Sequence, residues 1–168
     1  TDSIKTANYI YPRAEAEVAF KISKEISTEI QPSEVLDYVS HVATAIEIFD
    51  YRYGQAKIYA NDAIADNAGA AAFVYSHWVP AHEANLENLT AQVFKNEDEI
   101  DKAPLTAIRG NPWLALVLLS KVLVENGVKL PAGSIILSGS ATRSFDLAAG
   151  NNYVVDIKGL GRVEIKAL

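Results

Sequence analysis

Residues 11–23 read YPRAEAEVAFKIS, and small or apolar residues occupy every second position through most of this stretch. Because successive side chains of a β-strand point to opposite faces, this spacing predicts a strand with Glu15 and Glu17 side by side on one face. The residues of its apolar face are Ala14, Ala16, Val18, Phe20 and Ile22. Two adjacent carboxylates repel each other. The pair therefore indicates either a solvated face, screened by water and helped by Lys21, or a divalent cation that needs a third ligand.

The composition predicts one globular domain. The chain has 168 residues, of which 49% are hydrophobic and 21% are charged. Its formal net charge of −6, without a cluster of Lys and Arg, argues against nucleic acid or an anionic membrane as a partner. The longest apolar run, residues 113–119, is far shorter than the roughly 20 residues of a membrane span. The chain has no cysteine, which excludes disulfides and thiolate metal sites, and we expect a cytoplasmic protein with oxygen ligands for any metal.

Helical patterns are few. Ser33 is a candidate N-cap for a helix of about ten residues, in which Val35, Val39 and Val42 recur at helical spacing. A second, more apolar helix is predicted over residues 112–126. Asn111 caps its start, Gly127 ends it, and its nearly continuous apolar surface predicts burial against a sheet.

Strand patterns are more numerous than helical ones. Residues 61–69 predict a loop, and residues 81–102 fit either a polar helix or a hairpin. The further predicted strands are residues 45–51, 71–79, 135–137, 152–157 and 162–168. No regular helical crossovers separate them, so the order favours an α+β, mainly β single domain over a doubly wound sheet.

Glu47 is the candidate third ligand. It lies within the predicted strand 45–51 among apolar neighbours, where a carboxylate is seldom left unpaired. An equally acceptable interpretation is a buried salt bridge with Arg52 or with a lysine. Three carboxylates that leave coordination positions open suit Mg²⁺ or Mn²⁺ better than zinc.

Five stretches in order resemble the 2-keto-4-pentenoate hydratase and 4-oxalocrotonate decarboxylase family of the fumarylacetoacetate hydrolase superfamily. They are PRAEAEVAF (12–20), AIEIFDYR (45–52), IADNAGAAAFV (64–74), LPAGSIILSGS (130–140) and GLGRVEI (159–165). The resemblance implies a fumarylacetoacetate-hydrolase-like mixed β-sandwich or roll with a few packed helices. It also implies that residues 1–168 form one catalytic domain that lacks the family's N-terminal region. Since the chain begins at Thr1 and contains no methionine, an excised fragment, a designed sequence or missing stretches would each account for its start.

The resemblance also implies the site. In the family the E-x-E pair and the glutamate of the E-x-x-D-x-R strand hold a divalent metal, and these are Glu15, Glu17 and Glu47 here. Asp66 and Ser140 are candidate substrate-binding residues, although Asp66 also fits a turn and Ser140 a loop closure. The catalytic acid and base stay unassigned, because the N-terminal region of the relatives supplies a lysine and an acidic residue.

Arg52 and the histidines are assigned no ligand role. Arg52 is expected to pair with Asp50 or a neighbouring carboxylate rather than contact substrate. The three histidines, expected to be structural or to lie on the surface, are His41, His77 and His82.

The implied function is a metal-dependent hydratase of aromatic catabolism. It would add water to a 2-hydroxy-2,4-dienoate of the 2-keto-4-pentenoate type and give a 4-hydroxy-2-oxo acid. The choice of hydratase rests on Ser140, where the decarboxylase branch is expected to carry glycine. The alternatives are a 4-oxalocrotonate-type decarboxylase, an acylpyruvate-type C–C hydrolase and an inactive domain. Relatives are homo-oligomers, and exposed apolar surface would favour self-association of this chain as well.

Overall fold

Two β-sheets that share one apolar core form most of the structure, a computed structural model that describes residues 2–54 and 56–168. The strands are β1 (Asp2–Ile4), β2 (Pro12–Ile22), β3 (Val39–Asp50), β4 (Ala70–Tyr75), β5 (Val79–Pro80), β6 (Thr90–Lys95), β7 (Asp98–Pro104), β8 (Ile135–Leu137), β9 (Phe145–Asp146), β10 (Asn152–Ile157) and β11 (Gly161–Ala167). The α-helices are α1 (Val35–Tyr38), α2 (Ala60–Ala65) and α3 (Leu114–Glu125). Short 3₁₀ turns cover Thr6–Asn8, Pro32–Glu34, Asn67–Gly69, Ala81–Glu83, Leu86–Asn88 and Leu105–Ala107. The predicted α+β, mainly β class is confirmed.

The sheet topology places the acidic strands in the middle of one sheet. That sheet has the order β4-β3-β2-β8, and β5 and β9 pair with the ends of β3 and β2. The other sheet has the order β1-β11-β10-β6-β7. Side chains from the inner faces of both sheets form the core, among them the fully buried Phe20, Ile46, Tyr153 and Ile165. The outer face of β2 and β3 is therefore available for a site.

Strand β2 matches the prediction for residues 11–23, whereas the predicted helix after Ser33 is wrong in its length. Helix α1 ends at Tyr38, and β3 begins at Val39. The valines at positions 39 and 42 fit helical spacing but are also β-branched residues that pack well in strands. The antiparallel pairing of β3 with β2, which runs from Ile22↔Val39 to Pro12↔Asp50, outweighs the local helical preference.

One other segment differs from its prediction, and another matches one of its two predicted structures. Residues 61–69, expected to be a loop, contain α2 and the 3₁₀ turn at Asn67–Gly69. Residues 81–102, which fitted a helix or a hairpin, contribute to the antiparallel hairpin of β6 and β7. Asn96 at its turn has a φ of 56°, a left-handed conformation that asparagine tolerates.

Helix α3 lies where it was predicted but is less buried than expected. The side chain of Asn111 accepts a hydrogen bond from the N–H of Trp113 at 3.0 Å, as its predicted capping role requires. Of the helical residues, only Leu116 and Ser120 are buried. Leu118 and Val122 are 43% and 53% exposed, because the helix packs on the core through one face only. None of the helices in the described residues has the length and apolar character needed to cross a membrane.

Candidate functional site

Three glutamate side chains converge on the outer face of β2 and β3. The two-residue period of β2 puts Glu15 and Glu17 on the same face, and Glu15 is paired directly with Glu47 of β3. Carboxylate oxygens of the three residues all lie within 4.8 Å of one another. The structure thus brings together the three residues predicted to hold a metal. That they bind a cation stays a prediction.

The cluster is electrostatically costly without a cation. Glu17 is only 1% exposed, so a solvated face does not account for it. Burial raises the pKa of Glu17 to about 8, with a further contribution from the charge of Glu47, while the hydrogen bond from the Gly139 N–H opposes the rise. Burial, followed by the charge of Glu47, also raises the pKa of Glu15.

The described residues provide no salt-bridge partner for these carboxylates. The pairing of Glu47 with Arg52, one of the two interpretations of the sequence, does not occur, because Arg52 binds Asp66. The N–H of Gly139 donates a hydrogen bond to Oε2 of Glu17 at 2.7 Å. Closely spaced, partly buried carboxylate oxygens without a salt-bridge partner among the described residues fit a hard divalent ion.

A cavity of about 340 Å³ opens beside Glu15 and Glu47. Its described lining residues are Glu15, Glu47, Phe49, Asp50, Tyr51, Tyr53, Ile58, Ala63, Asp66, Ala68 and Gly69. Glu15 and Glu47 connect the cavity to the glutamate cluster, and aromatic or aliphatic side chains form much of the remaining wall. The described lining contains no lysine, arginine or histidine.

Asp66 lies in the wall of this cavity at the C-terminal end of α2. Its Oδ1 accepts a hydrogen bond from Nη1 of Arg52 at 2.7 Å. Arg52 thus pairs with a neighbouring carboxylate, as predicted. The carboxylate of Asp50 instead accepts hydrogen bonds from the N–H groups of Ile10 and Tyr11 and anchors the start of β2.

Ser140 lies in the loop after β8, and the described cavity lining does not include it. Its hydroxyl donates to the carbonyl of Thr142 at 2.8 Å, which is the loop-closing interpretation. Its role in substrate binding stays a prediction. In the same loop Ser138 accepts a hydrogen bond from the N–H of Val18 and fixes the loop on β2, so that the Gly139 N–H reaches Glu17.

Sequence reasoning did not identify the aromatic wall or the backbone contact of Gly139. Phe49, Tyr51 and Tyr53 follow Glu47 in the sequence FDYRY, and this cluster of aromatic residues after a candidate ligand was the available signal. A backbone donor such as Gly139 leaves no mark in side-chain patterns. None of the three histidines is among the described lining residues of the cavity.

Two enzymes of known name are similar in sequence to this chain. A 4-oxalocrotonate decarboxylase from a Pseudomonas species is 34% identical over 158 residues, which cover 94% of this chain and 61% of the relative. A 2-hydroxyhexa-2,4-dienoate hydratase from Comamonas testosteroni is 34% identical over 167 residues, which cover 98% of this chain and 63% of the relative. The two activities are therefore represented at the same level of identity.

The fold is also that of a solved relative. The structure of 4-oxalocrotonate decarboxylase from Pseudomonas putida G7, complexed with magnesium and adipate, matches with a TM-score of 0.94 and 25% identity, over 99% of this chain and 64% of that one. This chain spans less than two thirds of the length of these relatives. The family described as fumarylacetoacetate (FAA) hydrolase C-terminal matches residues 4–166. The chain therefore belongs to the fumarylacetoacetate hydrolase family, and among its relatives are 2-keto-4-pentenoate hydratases and 4-oxalocrotonate decarboxylases.

Proposed function

We propose that Glu15, Glu17 and Glu47 together hold one divalent cation, Mg²⁺ or Mn²⁺. The convergence of their oxygens within 4.8 Å and the absence of a cationic partner among the described residues support this. The solved decarboxylase from Pseudomonas putida G7, complexed with magnesium in one structure and with calcium in another, supports a hard divalent cation as well.

We propose that the protein is a hydratase. Its substrate is a 2-hydroxy-2,4-dienoate, and the product, after addition of water, is a 4-hydroxy-2-oxo acid. A bound divalent cation supplies Lewis-acid stabilisation of negative charge on the C1 carboxylate and C2 oxygen of such a substrate. The three glutamates would fix the cation end of the substrate, and the aromatic wall would pack against its uncharged diene, to which water must have access.

The observation that carries this choice is the aromatic and aliphatic wall of the described cavity. A dienoate has one carboxylate, at the metal end, and an uncharged tail that suits Phe49, Tyr53 and Ile58. A 4-oxalocrotonate has a second carboxylate at its far end. Arg52 is already paired with Asp66, so the described wall offers that second carboxylate no free cation. The cavity therefore favours the monoanionic substrate.

The decarboxylase remains the second candidate function, since a Pseudomonas decarboxylase is 34% identical to this chain. The same cation and the same three glutamates would stabilise the negative charge left when carbon dioxide departs. The two reactions differ in what must bind at the far end of the cavity, so substrate preference distinguishes them.

We expect the full-length parent protein with Mg²⁺ to hydrate 2-hydroxypenta-2,4-dienoate and to release little carbon dioxide from 4-oxalocrotonate. Loss of the dienol absorbance and mass spectrometry of the hydrated product measure the first reaction, and trapped carbon dioxide measures the second. The Glu47→Gln variant controls for spontaneous reaction, since it lacks one proposed ligand. Release of carbon dioxide from 4-oxalocrotonate without hydration of the dienoate would contradict the hydratase proposal and support the decarboxylase.

Metal affinity should increase with pH. The pKa of Glu17 is raised to about 8, so below that pH the carboxyl is mostly protonated and must lose its proton to bind a cation. The apparent Kd for Mn²⁺ should therefore fall by about tenfold per pH unit between about pH 6 and 7.5 and level off above about pH 8. Calorimetry in two buffers of different ionisation enthalpy should find about one proton released per ion near pH 7. A Kd that does not change over this range would contradict the raised pKa.

We also propose that the protein self-associates. Leu118 and Val122 on α3, and Phe73 and Tyr75 on β4, are large apolar residues that are each more than 40% exposed. Such side chains favour burial against another copy. Light scattering on dilute parent protein should report a mass above that of the monomer, and a purely monomeric solution would contradict the proposal.

A further inference from the structure

Arg52 holds one wall of the cavity through several hydrogen bonds. Its Nη1 donates to Oδ1 of Asp66 at 2.7 Å and to the carbonyl of the same residue at 2.9 Å. Its Nη2 donates to the carbonyl of Ala70 at 2.7 Å. One guanidinium thus connects the end of α2 to the first residue of β4. A lysine would reproduce the charge but not this fixed, forked set of contacts.

The segment that Arg52 binds has a backbone that would not hold this shape unaided. Asn67 and Ala68 have φ values of 52° and 53°, and Gly69 follows with 75°. Consecutive left-handed residues are rare, and for residues other than glycine each one costs free energy. Tertiary contacts must therefore maintain the turn. Arg52 bonds to carbonyls on both sides of it, at Asp66 and Ala70.

The same contacts orient Asp66. The carboxylate lies in the cavity wall with a side chain that is 18% exposed, and its Oδ1 is held by Arg52. Among the described residues, no hydrogen bond is recorded to its Oδ2. The carboxylate is thus fixed by one oxygen and can accept a hydrogen bond from a molecule in the cavity through the other.

We propose that Arg52 is a positioning residue, which fixes Asp66 and the turn of residues 66–70 so that Asp66 contacts the substrate. Arg52 itself is not among the described lining residues, and its Nη1 and Nη2 donate to Asp66 and Ala70. This inference rests on the proposed function, since Asp66 must take part in a reaction for its orientation to matter.

A double-mutant cycle on the full-length parent protein tests the proposal. The variants are Arg52→Gln, Asp66→Asn, the double variant and Arg52→Lys, assayed with Mg²⁺ and 2-hydroxypenta-2,4-dienoate. The matched control is Arg162→Gln, which removes an exposed arginine 3.9 Å from Asp156 and outside the cavity lining. Mn²⁺ binding is measured on each variant, because none of these changes removes one of the three glutamates.

We expect Arg52→Gln and Asp66→Asn each to lower kcat by about tenfold or more with a smaller change in KM. The kcat of the double variant should be within about twofold of the kcat of Asp66→Asn, since both changes remove the same function. Arg52→Lys should recover part of the lost kcat, and Mn²⁺ affinity should stay unchanged throughout. Arg162→Gln should behave as the wild type.

Two results would overturn the proposal. Multiplicative losses in the double variant would mean that Arg52 acts independently of Asp66, as a purely structural residue would. If the kcat of Arg52→Gln equals that of the wild type, Arg52 has no positioning role. If the wild type does not hydrate the dienoate, the hydratase proposal fails while the role of Arg52 is still open to test. The double-mutant cycle is then measured with a second assay, the exchange of the C3 protons of 2-oxopentanoate in D₂O. A wild type inactive in both assays would overturn both proposals.

Discussion

Replacing Glu17 by glutamine is expected to reduce Mg²⁺ affinity by at least about 100-fold and to stabilise the metal-free protein. Changing a group that only supports a metal ligand commonly costs 10–100-fold in affinity, so loss of a ligand should cost at least about that much. The stabilisation follows from the pKa of Glu17, which the fold raises from 4.5 to about 8. A carboxyl with a raised pKa destabilises the fold progressively as the pH rises from the unfolded to the folded value. Glutamine is uncharged at every pH and removes this cost.

The two effects are measured separately. Calorimetry with Mg²⁺ gives the affinity, and urea unfolding in EDTA gives the free energy of unfolding of the metal-free protein. We expect Glu17→Gln to gain about 4 kcal/mol of unfolding free energy at pH 8 and little at pH 4, where the wild-type carboxyl is mostly protonated in both states. Glu29→Gln, which changes an exposed glutamate away from the cluster, is the matched control. A metal-free Glu17→Gln variant that is less stable than the wild type at pH 8 would refute the electrostatic account.

Replacing Gly69 by alanine is expected to destabilise the protein by ~3 kcal/mol or more. Its φ of 75° is strained for a residue with a side chain. A Cβ at this position would also lie 2.9 Å from the carbonyl oxygen of Asp50, which belongs to the backbone of β3 and cannot rotate away. Since Gly69 lines the cavity, relief of the clash would shift the wall beside Asp66.

Gly127→Ala separates the two contributions. Gly127 has a φ of 65° and no atom within 4 Å of a built Cβ, so its substitution costs only the left-handed conformation, ~1 kcal/mol. Thermal unfolding should therefore show a clearly larger decrease in Tm for Gly69→Ala than for Gly127→Ala. The parent protein should lose activity in the first variant and keep it in the second. Equal decreases in Tm for the two variants would mean that the Cβ at position 69 does not clash with the carbonyl oxygen of Asp50.

The acidic site was largely predictable because Glu15 and Glu17 follow the two-residue side-chain period of a β-strand. Alternation in residues 11–23 fixed which side chains share a face with Glu15 and Glu17. The position of Glu47 opposite Glu15 depends on the register of β2 and β3, which periodicity alone does not specify. The family resemblance connected the three residues before their register was known.

The cavity was not predictable in the same way. Its wall combines residues from the end of β3 with Ala63, Asp66 and Gly69, and these come together through a turn that local patterns assigned to a loop. The early start of β3 was missed for a related reason. Valines at 39 and 42 satisfy helical spacing, and only long-range pairing with β2 selects the strand.

The direct pairing of Glu15 with Glu47 limits which insertions and deletions the chain can accept. Adding one residue within β2 or β3 would turn the side chains beyond it to the opposite face and carry a glutamate into the apolar core. Adding two would restore the face but move the carboxylate about 7 Å along the strand, out of reach of its partners. We expect length changes to be tolerated best at the exposed residues 23–25 and 27–29 of the connection between these strands, which lie beyond the pairs that align the glutamates.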